Sequence, residues 1–242
     1  MGAPKVQPIQ TTEPRSGNAL RGLARRVALT AAALGVWFWT QHLIGSRNPS
    51  GPGIGDSLHA ATASWNLYLV AHPSTANALL IVSSFFIDAM ALFLLARWLF
   101  GPTVRPFLGL VILLGLRQLT QALVSLPAPP NSIWHYPGFP SLLVTYDVAN
   151  DYFFSGHTAI AVFAAMELAR LRRTWITVSA VALVIFEVLT VLVLRAHYTM
   201  DVFTGMITAL LVAECTERIA PKLDAYIAGT SSVSARTAPL VR

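Results

Sequence analysis

The sequence holds a single cysteine, Cys215, in 242 residues. One thiol makes no intramolecular cross-link, so the fold has to be held by packing, and Cys215 reads as a small buried hydrophobe. Charge is scarce too: 12% of the residues are charged, against roughly 25% in ordinary soluble domains. That deficit excludes a water-soluble globule. There is no cysteine cluster, no glycine-rich phosphate loop and no internal repeat, which removes zinc-finger chemistry, P-loop nucleotide chemistry and a solenoid architecture.

What the chain has instead is apolar length. Hydrophobic residues make up 55% of it, gathered in six runs at 27–44, 75–96, 106–126, 157–171, 175–194 and 202–215. A helix needs ~20 residues to cross the hydrocarbon core, so the fourth and sixth runs are short and must recruit flanking residues. The first follows a basic stretch with no small-residue cleavage site after it, and reads as a retained anchor. The expected fold is an all-α membrane protein: a six-transmembrane-helix bundle over 23–220. A disordered tail at 1–22, rich in Pro, Ser, Thr and Gly, and a second tail at 221–242 flank it.

The net charge of +6 does not point to nucleic acid, because the basic residues are scattered between the apolar runs and not collected on one face. They report topology. Fourteen of the 17 basic residues fall before run one, between runs two and three, between runs four and five, or after run six. Positively charged loops stay in the cytoplasm, so both termini are expected there. Arg47, Arg117 and Arg195 are the exceptions. The outer loops 45–74 and 127–155 carry Trp65, Tyr68, Trp134, Tyr136, Phe139, Tyr146 and Tyr152, rings suited to the membrane interface as a lid or rim. The preference for Arg over Lys suggests a bacterial cytoplasmic membrane, with the chemical motifs on the periplasmic or extracellular face.

Those motifs are Ser155-Gly156-His157-Thr158, opening the fourth run, and Arg195-Ala196-His197-Tyr198-Thr199-Met200-Asp201, between the fifth and sixth. Both fall on the outer side, so two histidines distant in sequence come to similar depth. His197 and Asp201 are spaced i, i+4, one face of a helix. A carboxylate bonded to one imidazole nitrogen fixes the tautomer and leaves the other as a nucleophile, which assigns Asp201 to His197. His157 is then placed to give or take the proton of an alcohol. Ser155, Gly156 and the backbone amides at a helix start suit an anion, and Arg117 and Arg195 complete a phosphate cradle through forked hydrogen bonds. Arg117 pairing structurally with Asp88 or Glu187 is the alternative.

These stretches resemble the sphingomyelin synthase branch of the type 2 phosphatidic acid phosphatase superfamily. Asp151-Tyr152-Phe153-Phe154-Ser155-Gly156-His157-Thr158 is similar to that family's third motif and His197-Tyr198-Thr199-Met200-Asp201-Val202 to its fourth. Arg117-Gln118-Leu119-Thr120, with Val124 to Pro129, is similar to the second, and Pro49 to Asp56 only hints at the first. The likeness implies a phosphohistidine at His197 supported by Asp201, with His157 handling the proton, and neither cofactor nor metal. Asp151, Tyr152 and Tyr198 are candidate head-group contacts. The phosphatase branch has a Lys six residues before Arg-Pro, whereas Arg105-Pro106 has Trp98 in that place, which tilts the reading toward transfer.

The leading expectation is therefore a lipid phosphotransferase carrying a phosphoryl head group from a donor phospholipid to a lipid alcohol, ceramide or diacylglycerol. A phosphatase or phospholipase C-like hydrolase would use the same residues with water as acceptor. A transporter or scaffold would use Arg117, Asp88, Glu187 and the histidines as a polar network. A metal held by His157, His197 and Asp201 is the remaining chemical alternative.

Overall fold

The computed structural model describes residues 32, 39, 54–144, 146 and 152–227. The chain divides into two compact units, Met1–Gly55 and Asp56–Arg242. The expected first span apart from Ala32 and Trp39, the tail at 1–22, most of 221–242 and Asp151 lie outside the described residues.

The second unit is helical, with no strand among its described residues. Two short helices, α1 (Ser57–Ala61) and α2 (Ala63–Ala71), lead into α3 (Pro73–Leu99) and α4 (Arg105–Leu123); after a long connection come α5 (Gly156–Ala169), α6 (Thr174–Val193) and α7 (Thr199–Ile227). Pro73 starts α3 at the one turn where a missing N–H costs nothing. The helices α3, α4, α6 and α7 are long and apolar enough to cross a membrane, and large apolar side chains such as Phe85, Val178, Phe203 and Leu211 face outward. A surface of that kind belongs in lipid, and the protein is an integral membrane protein.

The runs expected to span at 75–96, 106–126, 175–194 and 202–215 appear as α3, α4, α6 and α7 with adjusted ends. The run at 157–171 becomes α5, only 14 residues long. It is the most enclosed element, packing against α3, α4, α6 and α7, with Ala161, Phe163 and Ala164 wholly buried. Gly109 of α4 makes that possible: a Cβ there would lie 1.9 Å from Phe163 Cζ, so only glycine lets the ring seat against the α4 backbone. Ile87 and Leu94 from α3, Leu110 and Leu113 from α4, and Ala209 and Val212 from α7 close the same core.

One end of α5 is tied by charge. Arg105 grips Glu167 in a fork, Nε to Oε1 at 2.9 Å and a terminal nitrogen to Oε2 at 2.9 Å, and Arg170 bridges Glu167 to Glu217. Arg105-Pro106 is thus a structural tie at the opposite end of α5 from His157. The final helix continues through Pro221 to Ile227, into residues expected to begin a tail. Asp224 accounts for it by accepting from the Val104 amide at 2.7 Å, a tertiary bond that outweighs the local helix-breaking tendency of proline.

Candidate active site

The opposite end of α5 holds the first of the two candidate histidines. Ser155 is its N-cap, accepting from the Thr158 amide and hydroxyl at 3.3 and 3.1 Å, as a Ser-x-x-Thr start allows. Its own amide donates to the Asp201 carbonyl at 3.1 Å, lashing the start of α5 to the first turn of α7. Contact there is close: a Cβ on Gly205 would come within 2.6 Å of the Ser155 carbonyl oxygen. Ser155 is buried at this junction, its hydroxyl engaged in the cap of α5.

A pocket opens beside this junction, lined by Arg117, Trp134, Tyr152, Gly156, His157 and His197 among polar and aromatic groups, with Ile87, Leu114, Leu143 and Ile160 as its apolar wall. The two histidines face one cavity. His157 lies buried at the first turn of α5, and its Nε2 has no hydrogen-bond partner among the described residues. Such a group is costly to leave bare unless a ligand satisfies it.

His197 is oriented by a backbone group. Its Nδ1 lies 2.7 Å from the Tyr152 carbonyl oxygen. A carbonyl only accepts, so Nδ1 carries the proton and Nε2 keeps its lone pair. Asp201 was expected to make that bond; instead its Oδ2 caps the turn by accepting from the Tyr198 amide at 2.9 Å and stands 3.9 Å from His197 Nδ1. Asp201 is fully buried.

Arg117, on α4, donates from Nε to the Phe154 carbonyl at 3.2 Å, which aims its guanidinium along the start of α5. Gly156 is what admits it: a Cβ would fall 2.8 Å from Arg117 Nε and 3.2 Å from Cδ. The expected alternative partners are engaged elsewhere, Asp88 with Ser141, Leu142 and Leu143 and Glu187 with Ser83. Arg117 and Gly156 line the same cavity as His157 and His197.

Arg195 and Tyr198 do not. Arg195 terminates α6 in the left-handed region, φ 54°, which turns its side chain away to donate to the His59 carbonyl at 2.5 Å. Tyr198 is 2% exposed and stacks on the His59 ring at 5.6 Å. Neither lines the cavity. Tyr152 does.

Both lead to residues the sequence reading missed. Asp56 caps α1 by accepting from the Leu58 and His59 amides and, through the same carboxylate, accepts from the Thr199 amide at 2.6 Å and hydroxyl at 2.7 Å. One side chain thus starts two helices. His59 donates from Nε2 to the His197 carbonyl at 2.9 Å, so the nucleophile candidate is held from behind as well as from its ring. Burial lowers the His59 imidazole below its ordinary value against the opposing pull of Asp56, leaving it neutral near pH 7. The only sequence signal was the Asp-x-x-His spacing beside the weak first motif.

Burial pushes the Asp56 carboxyl up, but the Thr199 amide and hydroxyl and the His59 amide more than offset this and hold it below 3.8. A carboxyl depressed on folding contributes stability that is present above the unfolded value and disappears as pH falls through the folded one. Asp56→Ala should therefore cost about 1–2 kcal/mol near neutral pH, with the gap to wild type closing only below roughly pH 4. Thermal unfolding in detergent at pH 7 and pH 3 checks it; equal melting temperatures at pH 7 would refute the clamp.

Fold and site together define an all-helical integral membrane protein with two buried histidines and an arginine around one pocket. The chain belongs to the AtPDCT1/2 family, matching it over residues 56–218, a stretch that begins at the Asp56 clamp. It is 23% identical over 150 residues to phosphatidylcholine:diacylglycerol cholinephosphotransferase 1 of Arabidopsis thaliana, covering 62% of this chain and 48% of the relative. The chain thus spans about half the length of that curated relative. No solved structure matches.

Proposed function

We propose that the protein is a lipid head-group phosphotransferase, moving a phosphoryl-alcohol from a donor phospholipid to a lipid alcohol. The observation that carries this is the shared pocket in which His197, with its Nδ1 proton committed to the Tyr152 carbonyl, faces an unpartnered His157 nitrogen and the Arg117 guanidinium. The relative named for transfer between phosphatidylcholine and diacylglycerol favours diacylglycerol over ceramide as acceptor. It also favours a choline phospholipid as donor.

In the first half-reaction His197 Nε2 forms a bond to phosphorus. The bond from phosphorus to the diacylglycerol oxygen breaks, and that oxygen leaves with a proton from His157. Asp201 steadies the His197 ring as it becomes cationic. In the second half, an incoming lipid hydroxyl gives its proton to His157 and attacks phosphorus, releasing His197. Arg117 and the Gly156 and His157 amides at the start of α5 hold the non-bridging oxygens throughout, where charge builds in the transition state. All groups in this scheme belong to the chain itself, so a metal is not required. Six spans, cytoplasmic termini and an extracytoplasmic pocket are the topology that accompanies it.

The test is transfer by purified protein in vesicles containing head-group-labelled phosphatidylcholine, phosphatidylethanolamine or phosphatidic acid, with diacylglycerol or ceramide of distinct chain length. Label in a new phospholipid bearing the acceptor's chains is expected. Label only in water-soluble product would make the protein a hydrolase, and a lack of turnover from every donor would end the enzymatic reading.

A further inference from the structure

Phosphoryl chemistry uses one side of the pocket; the other side is aromatic. Trp134, from the segment between α4 and α5, lines the cavity with its ring centroid 5.1 Å from that of His157, edge to face. Tyr146 packs on Trp134 at 5.0 Å, tilted by 37°, and its hydroxyl is hydrogen-bonded to Ser84 of α3. Two carboxylates back this wall. Asp88 holds the stretch that follows by accepting from Ser141 Oγ at 2.9 Å, the Leu142 amide at 2.8 Å and the Leu143 amide at 3.0 Å. Glu187 of α6 is fully buried and accepts from Ser83 at 2.6 Å, and its Oε1 has no partner among the described residues.

This surface suits one kind of cation. A primary ammonium entering a pocket must find acceptors for three N–H groups, and among the described residues the indole of Trp134 with leucine and isoleucine beside it supplies none. A quaternary ammonium has no N–H to satisfy, spreads its charge over methyl groups and is attracted to aromatic faces, tryptophan most strongly. The Asp88 carboxylate behind Tyr146 favours positive charge without touching it.

We infer that Trp134, backed by Tyr146, holds the quaternary ammonium of a phosphocholine head group while Arg117 and the start of α5 take its phosphate. The inference rests on the transferase reading of the same pocket and adds the residue that selects the donor. Trp134 takes no part in bond making; it determines specificity.

Wild type, Trp134→Leu and Trp134→Phe are compared as purified proteins, with head-group-labelled phosphatidylcholine or phosphatidylethanolamine as donor and diacylglycerol as acceptor. Wild type should prefer the choline donor. Trp134→Leu should lower kcat/KM for it roughly tenfold, mainly through KM, and leave the ethanolamine donor within about twofold, while Trp134→Phe restores most of the preference. A loss equal for both donors would mean that Trp134 only braces His157 and would overturn the inference, as would a wild-type preference for ethanolamine. A measurement independent of the variants is inhibition of wild type by free phosphocholine and phosphoethanolamine. Phosphocholine should inhibit roughly tenfold more strongly; equal inhibition would count against the site. Wild type inactive with both donors would instead remove the transferase reading itself.

Discussion

Replacing His197 with alanine should reduce head-group transfer by roughly 10³-fold or more, the scale expected when a covalent nucleophile is removed. The Tyr152 carbonyl holds the Nδ1 proton at 2.7 Å, so no tautomer change is needed to present Nε2 to phosphorus. Alanine keeps the loop, whose backbone is fixed by the His59 bond to the residue 197 carbonyl, and the variant should remain folded in detergent. Incubated with head-group-labelled donor and no acceptor, wild type should retain label that is lost in acid and survives base, as a phosphoramidate does. His197→Ala should retain none. A variant keeping more than about a tenth of wild-type turnover would place the nucleophile elsewhere.

His157→Ala should be nearly as damaging, and its pattern of rescue distinguishes the two roles. General acid–base groups contribute typically 10²–10⁴-fold, and a diacylglycerol alkoxide is a poor leaving group without a proton. From p-nitrophenyl phosphocholine the group that leaves is p-nitrophenolate, stable without a proton. The variant should therefore be impaired roughly 10³-fold with phosphatidylcholine but less than about tenfold in forming the phosphoenzyme from the nitrophenyl donor. Equal impairment with both would assign His157 to binding.

Much of this site could be read from residue order because its side chains act through type and spacing. The two histidines sit at corresponding ends of consecutive apolar runs, and an arginine inside a third run had few other reasons to be there. Side chains that work through backbone groups could not be read in this way. Ser155 carries the right chemistry for an anion site yet spends it capping α5. The partner of His197 is the carbonyl of Tyr152, which no sequence pattern encodes, and Asp201 was credited with that bond because only side chains are visible in a motif. Arg195 stands beside the motif in the chain, but with its left-handed backbone its side chain reaches the His59 carbonyl. The apolar runs correspond to four helices long enough to span, while the Arg105–Glu167 and Val104–Asp224 contacts near the ends of α5 and α7 are long-range bonds that local hydropathy does not register.

That left-handed arginine bears on anyone trying to make the protein more robust for study. Glycine would relieve a backbone cost of about 1–2 kcal/mol at position 195 and is the substitution a consensus or stability screen would select. The side chain it removes, however, ties the chain leaving α6 to the α1 turn, whose His59 also grips the His197 carbonyl. Hardier preparations bearing glycine there would hold the reactive imidazole less firmly, so thermal tolerance and catalytic competence pull against each other at this single junction.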